Sequence, residues 1–169
     1  DLVGMKANLY KCFLPQAWMY SNVNGISAFI HPEGVYDDPK GGKLRRILYP
    51  RLRKHFQFNN ELKLFSEVDH HMGFSLNIYA NKTNGLFESI SNLYSTNTVD
   101  ECYSEQAGGM IPGIKDETGW CIKGHPARIV RIGKRELMLF ANLFDGTDEW
   151  KEARLPSIHG QDLIDVLNT

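Results

Sequence analysis

The sequence has few cysteines, and they do not form a metal-binding or disulfide pattern. Its 169 residues include three cysteines, Cys12, Cys102 and Cys121. They are odd in number and contain no Cys-x-x-Cys pair. This usage argues against a secreted domain stabilised by disulfides. It predicts small buried thiols in a reducing, cytoplasmic compartment.

The chain also lacks long apolar runs and a strong charge of either sign. No stretch reaches the ~20 consecutive apolar residues of a membrane-spanning helix, so no membrane partner is predicted. The formal net charge is -1, whereas a general polyanion binder is strongly basic. Any contact with nucleic acid must therefore come from a local patch. Low-complexity tracts and internal repeats are absent, and the composition is that of a globular domain.

The first 82 residues alternate between helix-like and strand-like patterns. In order, the segments are a helix at "ANLYKCFLPQAWMY", a strand at "GISAFIHP", a basic amphipathic helix over 43–55 and strands at "FQFNNELKLF" and "GFSLNIYAN". This order predicts an α/β layer that ends in an antiparallel strand pair.

Residues 83–169 have a different character, which places a boundary near residue 82. The sequence predicts helical turns at "GLFESISNLYS" and "NTVDECYSE", one short strand at "ARIVRI", an amphipathic helix at "GKRELMLFANLFD" and a last helix at "HGQDLIDVLNT". We therefore expect a mostly helical connecting region after residue 82.

A basic segment stands out against the near-zero net charge. Seven Lys and Arg and no acidic residue lie between Lys40 and His55. One face of such a helix can cover a core while the other contacts phosphates. A solvated helix face balanced by acids elsewhere is the alternative, and composition does not decide between them. The candidate DNA-binding residues are Lys40, Lys43, Arg45, Arg46, Arg51 and Arg53.

A metal-dependent nuclease is a second possible chemistry. Asp37 or Asp38 followed by Glu61-Leu62-Lys63 imitates the spaced acid and acid-x-Lys pattern that holds Mg²⁺ in many DNA-cutting domains. The acid-x-Lys pattern is frequent by chance, and a capping loop with a surface lysine would look the same.

Two histidine-containing segments are weaker candidates for metal binding. Asp69-His70-His71 offers adjacent imidazoles, but neighbouring side chains of an extended chain point to opposite sides. Cys121 and His125 have a plausible zinc spacing, but a second Cys/His pair is missing. No metal ion is therefore predicted.

Phe65 is the last residue of "NNELKLF", at the point where a predicted strand ends and a loop begins. Apolar residues at that position usually belong to the core. An aromatic ring there can also stack on a base that is extruded from the duplex.

The order of these pieces resembles that of a known family. "NLYKCFLPQAW" followed by "NGISAFIHPEGVY" resembles the segment after the catalytic motif in adenine-N6 DNA methyltransferases of restriction-modification systems. The match covers roughly residues 5 to 82, at Asn8-Leu9-Tyr10 with Phe13, Gly25 to Pro32, Leu44-Arg45, Leu64-Phe65 and Phe74 to Tyr79. "GIKDETGW", "HPARIV", "ELMLFANLFD" and "ARLPSIHGQDLIDVL" resemble the downstream part of large methylase subunits in bacterial phage-defence loci.

The resemblance implies a fold and an activity. The fold would be part of a Rossmann-like sheet of an S-adenosylmethionine-dependent methyltransferase: residues 1–82 as the C-terminal part of the catalytic domain, residues 83–169 as a mainly helical extension. The activity would be methyl transfer from S-adenosylmethionine to the N6 of a flipped adenine, with no metal. Phe65 would stack on the adenine, and the loop 33–42 would border the DNA or base pocket.

The resemblance also implies what this sequence leaves out. The Gly-rich S-adenosylmethionine loop and the Asn-Pro-Pro-Tyr type motif are missing, and both would lie before Asp1. No catalytic residue is therefore expected in this chain, its cofactor-binding residues are unknown, and the fragment alone should be inactive. The implied partners are double-stranded DNA, the missing N-terminal part of the same protein, and restriction or defence subunits.

Two alternatives to the methyltransferase remain. One is the metal-dependent nuclease with Asp38, Glu61 and Lys63. The other is a non-catalytic DNA- or protein-binding module that uses the basic helix 43–55.

Overall fold

The structure is a computed structural model that describes residue 5 and residues 8–81, 85–104 and 109–167. The helices are Leu9–Tyr20 (α1), Gly34–Asp37 (α2), Gly42–Leu48 (α3), Asn97–Cys102 (α4), Lys134–Phe140 (α5) and Gln161–Leu167 (α6). The strands are Ile26–Pro32 (β1), Leu52–Asn59 (β2), Gly73–Ala80 (β3), Phe87–Leu93 (β4), Lys115–Asp116 (β5), Gly119–Trp120 (β6) and Val130–Ile132 (β7).

Five strands form one mixed sheet in the order β1-β3-β2-β4-β7, and β5 and β6 form a separate antiparallel hairpin. β3 is antiparallel to both β1 and β2, so β1 and β2 run in the same direction. Their connection carries α2 and α3, which is the crossover that co-directional strands require. The predicted α/β fold with an antiparallel strand pair is confirmed.

The sheet continues past residue 82. β4 pairs in parallel with β2, and β7 pairs antiparallel with β4. The helical turn predicted at "GLFESISNLYS" is therefore wrong. The segment is a strand that lies between β2 and β7, and its side chains Phe87, Ile90 and Leu93 are buried in the core. The predicted strand at "ARIVRI" and the helices α4, α5 and α6 are confirmed. The assignment of 1–82 and 83–169 to parts of a methyltransferase stays a prediction.

Hydrophobic clusters cover both faces of the sheet. The larger cluster joins side chains from β2, β3, β4 and β7 to α1, α2, α3, α5 and α6. The smaller cluster lies on the opposite face and packs Phe56, Phe58, Phe74, Ile90 and Leu93 against Cys102 of α4. The sheet is thus the middle layer of the fold, and only its β1 margin is poorly covered.

The helix α1 and the edge strand β1 both carry exposed apolar side chains, those of α1 on one face of the sheet and those of Ile26 and Ile30 on the other, and we call them together the α1–β1 surface. It consists of the exposed side chains Leu9, Phe13, Met19, Tyr20, Ile26 and Ile30. Ile26 is 71% exposed although it lies in a strand. In the described ranges, neither α1 nor any other helix has the length and apolar character needed to cross a membrane.

The basic segment forms a shorter helix than predicted. α3 ends at Leu48, and β2 begins at Leu52, so the predicted helix over 43–55 is wrong in its second half. Pro50 explains the end of the helix, because proline has no backbone N–H to continue the helical hydrogen bonds. The basic side chains are consequently divided between a helix, a turn and a strand.

Arg45 in α3 is buried and ties three segments together. Its side chain is among the largest that are fully buried, at 1% exposure. The guanidinium donates to the carbonyl oxygens of Val35 (3.1 Å), Asp38 (2.8 Å) and Glu152 (2.9 Å). Because these bonds occupy the side chain inside the fold, the predicted DNA contact of Arg45 is a structural contact instead.

Replacing Arg45 by Met should lower the free energy of unfolding by about 3 kcal/mol, because carbonyl oxygens inside the fold lose a charged donor. Urea unfolding followed by circular dichroism measures the loss. The control is Arg46→Met, which changes an exposed side chain of the same helix and should cost little. Equal losses in the two variants would contradict the structural role of Arg45.

Candidate functional site

A cluster of polar side chains lies on the face of the sheet that α1, α2 and α3 cover. Strand pairing brings them together: His31 is opposite Ser75, and His55 is opposite both Asn77 and Ser89. Residues that are directly opposite in a sheet share a face. With Glu33, Tyr36 and Tyr79, these residues form what we call the polar network.

His31 lies at the carboxyl end of β1 and is buried as a neutral ring. Its Nδ1 donates to the Pro32 carbonyl oxygen (2.9 Å), and its Nε2 accepts from the Tyr79 hydroxyl (3.0 Å). Tyr10 stacks on the imidazole with 5.1 Å between ring centroids. Burial lowers the pKa of His31, because it removes an imidazolium from water.

Tyr36 of α2 continues the network across β3. Its hydroxyl donates to Asn77 Oδ1 (2.5 Å), and the Asn77 amide nitrogen donates to Ser75 Oγ (2.8 Å). Burial raises the pKa of both Tyr36 and Tyr79 well above the usual value for tyrosine. Both phenols therefore stay protonated and serve as hydrogen-bond donors.

Glu33 and His55 form a pair in this network that joins a buried imidazole to a partly exposed carboxylate. His55 Nε2 donates to Glu33 Oε2 (3.2 Å), and His55 Nδ1 lies 2.9 Å from Ser89 Oγ. The His55 side chain is 3% exposed and that of Glu33 is 16% exposed. Burial alone would raise the pKa of Glu33, but the charge and hydrogen bond of His55, with a further bond from Ser75, lower it overall. An ionised carboxylate beside an imidazole can accept and pass a proton.

A groove lies between α1 and β1, next to His31. It encloses about 410 Å³ and is lined mainly by aromatic and aliphatic side chains, including Phe13, Ala17, Tyr20 and Ile30. The groove is part of the α1–β1 surface, and His31 is a polar residue in the lining of the groove.

Phe65 lies in a loop and not at the end of a strand, because β2 ends at Asn59. Asn60 turns the chain there: it is fully buried, its Oδ1 accepts from the Phe65 N–H (2.9 Å), and its amide donates to the Phe65 carbonyl oxygen (2.9 Å). The Phe65 ring is 41% exposed and meets Phe74 edge-on at 5.0 Å. The strand predicted at "FQFNNELKLF" is confirmed as far as Asn59 and wrong after it, but the Phe65 ring is still held at the surface in a defined position.

The remaining predicted DNA-binding residues differ in their surroundings. Arg46 is exposed but paired with Glu149 (2.6 Å) and Glu152 (2.8 Å). Arg51 donates to the Ile47 carbonyl oxygen and lies over the Trp18 ring. Lys40, Lys43 and Arg53 are exposed.

The nuclease residues have separate partners. Asp38 accepts from the Lys40 N–H (2.9 Å) and lies 3.5 Å from Lys11 Nζ. The Lys40 hydrogen bond lowers the pKa of Asp38. Glu61 instead lies 3.2 Å from His71 Nδ1. Lys63 adopts a left-handed backbone conformation at the turn after β2. These contacts give the Asp38–Glu61–Lys63 hypothesis no support.

The adjacent histidines are closer together than predicted. Residues 69–72 form a turn, since the Met72 N–H donates to the Asp69 carbonyl oxygen (3.0 Å). The turn brings the rings of His70 and His71 to 3.8 Å between centroids. The expectation that their side chains point to opposite sides is therefore wrong, because it holds only for an extended chain.

No family model matches the chain, and a search of the curated proteins finds no significant match.

Sequence reasoning missed the polar network. The sequence pattern that could have indicated the network is the presence of polar residues within apolar strands, such as His31 in β1, His55 in β2 and Asn77 in β3. Periodicity shows that such residues share a face, but it does not show that three strands align them. That alignment depends on β3 lying between β1 and β2.

The lowered pKa of His31 predicts how stability depends on pH. As pH falls through about 6.5, the unfolded chain binds a proton on this imidazole more readily than the folded chain, so the free energy of unfolding falls as pH falls. One such group contributes a slope of up to about 1.4 kcal/mol per pH unit. When urea unfolding is measured between pH 5 and 7, the free energy of unfolding should depend less steeply on pH in His31→Gln than in the wild type.

The exposed His70 provides the control as His70→Gln. His159 also has a pKa lowered by burial, and it stays in both variants. A His31→Gln slope as steep as that of the wild type would contradict the buried neutral ring.

Proposed function

We propose that this chain is part of a site-specific DNA methyltransferase that transfers a methyl group from S-adenosylmethionine to adenine N6 in a restriction-modification system. The observation that carries the proposal is the arrangement of the first 80 residues. Helix, strand, helical crossover, co-directional strand and antiparallel strand follow one another where the family pattern has them. Strand–helix–strand crossovers of this kind build Rossmann-like sheets.

The location of Phe65 supports a role in base binding. Ligands of open α/β sheets bind outside the carboxyl ends of the strands. β1 and β2 run in the same direction, so Glu33 after β1 and the loop 60–72 after β2 lie at the same edge. Gly73 shows this closeness: a Cβ there would lie 3.8 Å from both Glu33 Cγ and Asn59 Oδ1. We assign Phe65 the stacking contact with a flipped adenine.

The same geometry narrows the proposed DNA surface. Lys40 and Lys43 follow β1 and lie towards its carboxyl edge. Arg53 is at the start of β2, and the six residues from there to Asn59 span about 20 Å. We therefore propose that Lys40 and Lys43 contact phosphates, and that Arg51 and Arg53 do not.

The α1–β1 surface is where we place the rest of the catalytic domain. β1 is an edge strand, and edge strands of natural sheets are usually covered or blunted. Exposed apolar patches of this kind mark interaction sites. The covering part would be the missing N-terminal part of the same protein, with the S-adenosylmethionine loop and the Asn-Pro-Pro-Tyr type motif. S-adenosylmethionine would supply the methyl group there. The sequence does not contain the aromatic-x-Gly-x-Gly type turn of the family, so we assign this chain no cofactor-binding and no catalytic residue.

The test of the base contact is Phe65→Ala in the full-length protein. The rate of adenine methylation should fall about tenfold or more, since a base–aromatic stack contributes ~1–3 kcal/mol. Leu64→Ala is the matched control, because Leu64 is adjacent and 39% exposed. The fluorescence of 2-aminopurine at the target position reports base extrusion in the same samples. Unchanged methylation and extrusion in Phe65→Ala would exclude the stacking role.

The DNA surface is tested by charge reversal. Lys40→Glu with Lys43→Glu should weaken duplex binding and reduce the slope of log K against log [salt] by about two, because two phosphate contacts are lost. Arg53→Glu should leave the slope unchanged, although Arg53 belongs to the same basic segment. Fluorescence anisotropy at several NaCl concentrations measures both variants. An equal effect of Arg53→Glu would favour the alternative of a binding module that uses the whole basic segment.

A further inference from the structure

The loop between β2 and β3 has a defined conformation, although most of its side chains are exposed. Asn60 is its centre. Besides the two bonds to Phe65, the Asn60 amide donates to the Val68 carbonyl oxygen (2.9 Å), and the Asn60 N–H donates to the Met72 carbonyl oxygen (3.1 Å). The side chain and the backbone N–H of one buried residue thus bind to both the middle and the end of the loop.

This conformation brings three metal-ligand groups together. Glu61 begins the loop, and His70 and His71 end it. The turn over 69–72 is closed by a second bond, from the His71 N–H to Asp69 Oδ1 (2.8 Å). One ligand atom from each of Glu61, His70 and His71 lies within 4.8 Å of the other two. No other group of three His, Cys, Asp or Glu residues reaches this closeness in the described ranges.

We propose that Glu61, His70 and His71 bind a transition-metal dication such as Zn²⁺. Two imidazole nitrogens and one carboxylate oxygen are ligands that Zn²⁺ uses in tetrahedral sites, with the fourth position open to water. Metal–nitrogen bonds of ~2.0–2.1 Å at tetrahedral angles separate the ligand atoms by about 3.4 Å. The ligand atoms now lie within 4.8 Å of one another, and a bound ion would require the exposed imidazole rings to rotate until that tetrahedral separation is reached.

The donor set also selects against the commoner divalent ions. Ca²⁺ takes six to eight oxygen ligands, and Mg²⁺ requires octahedral oxygen coordination. This site provides a single carboxylate, whereas two imidazoles suit Zn²⁺, Cu²⁺ and Ni²⁺. The site is therefore distinct from the Mg²⁺ cluster that Asp38, Glu61 and Lys63 would form in a nuclease.

Metal binding would also affect the position of Phe65. The ion would cross-link residue 61 to residues 70 and 71, and so close the segment that presents the Phe65 ring. Asp69, which accepts from the His71 N–H, would act as a positioning residue for that ligand. The site stands on the geometry of the loop alone and does not depend on the proposed methyltransferase activity.

The test is a titration of the metal-free, untagged chain with Zn²⁺ by calorimetry, and with Co²⁺ by visible absorption. We expect one equivalent of metal and a Co²⁺ spectrum without the strong sulfur-to-metal band, because no thiolate takes part. Glu61→Gln and His71→Ala should each weaken binding at least about tenfold. Hydrogen exchange of the backbone in 61–72 should slow when Zn²⁺ is added.

His125→Gln is the matched control, because Cys121 and His125 are the other histidine-containing zinc candidate of the sequence. It should leave the affinity unchanged. Melting of each metal-free variant verifies that the fold is intact, which is expected because the site is largely exposed. Binding that survives in Glu61→Gln and His71→Ala, a sulfur-to-metal band, or no saturable binding of Zn²⁺ would each overturn the proposal.

Discussion

The pairing of β3 with β1 on one side and β2 on the other is the constraint on which the rest of the structure depends. It makes β1 and β2 co-directional and requires the helical crossover between them. It places Asn77 opposite both Phe29 and His55. A shift of one residue in this register would turn the polar side chains of β3 to the other face, where the smaller hydrophobic cluster lies.

The fold keeps many polar groups inside and pairs most of those described by local hydrogen bonds, although Arg128 Nε has no partner. His31, Tyr36, Asn77 and Tyr79 bond to one another and to the backbone. The two largest buried side chains are arginines, and Arg128 donates to the carbonyl oxygens of Lys123, Ser91 and Asn92. Unpaired, each such group would cost desolvation energy. The buried arginines thus attach loops to the core through hydrogen bonds to backbone carbonyl oxygens, whereas the helices are attached by hydrophobic contacts.

The residues to which we assign proposed functions lie at one edge of the sheet because of strand direction. The loop after β1 carries Glu33 and Lys40, and the loop after β2 carries Phe65 and the proposed metal ligands. The edge strand β1 and α1 present an apolar surface beside it. The proposed base pocket would lie at that edge, and the proposed covering part of the protein would pack on the α1–β1 surface, which exposes apolar side chains.

The sequence by itself determined the α/β class, the antiparallel pair, most helices after residue 94 and the exposure of Lys40 and Lys43. These follow from local periodicity and turn residues, which depend on neighbours along the chain. It did not reveal that Phe87–Leu93 is a strand, because a short apolar run fits a helix or a strand equally well until a partner strand is known. Nor did it reveal the burial of Arg45, the turn that joins His70 to His71, or the polar network. Those were decided by tertiary structure, since each depends on contacts between residues far apart in sequence or on the path of a loop.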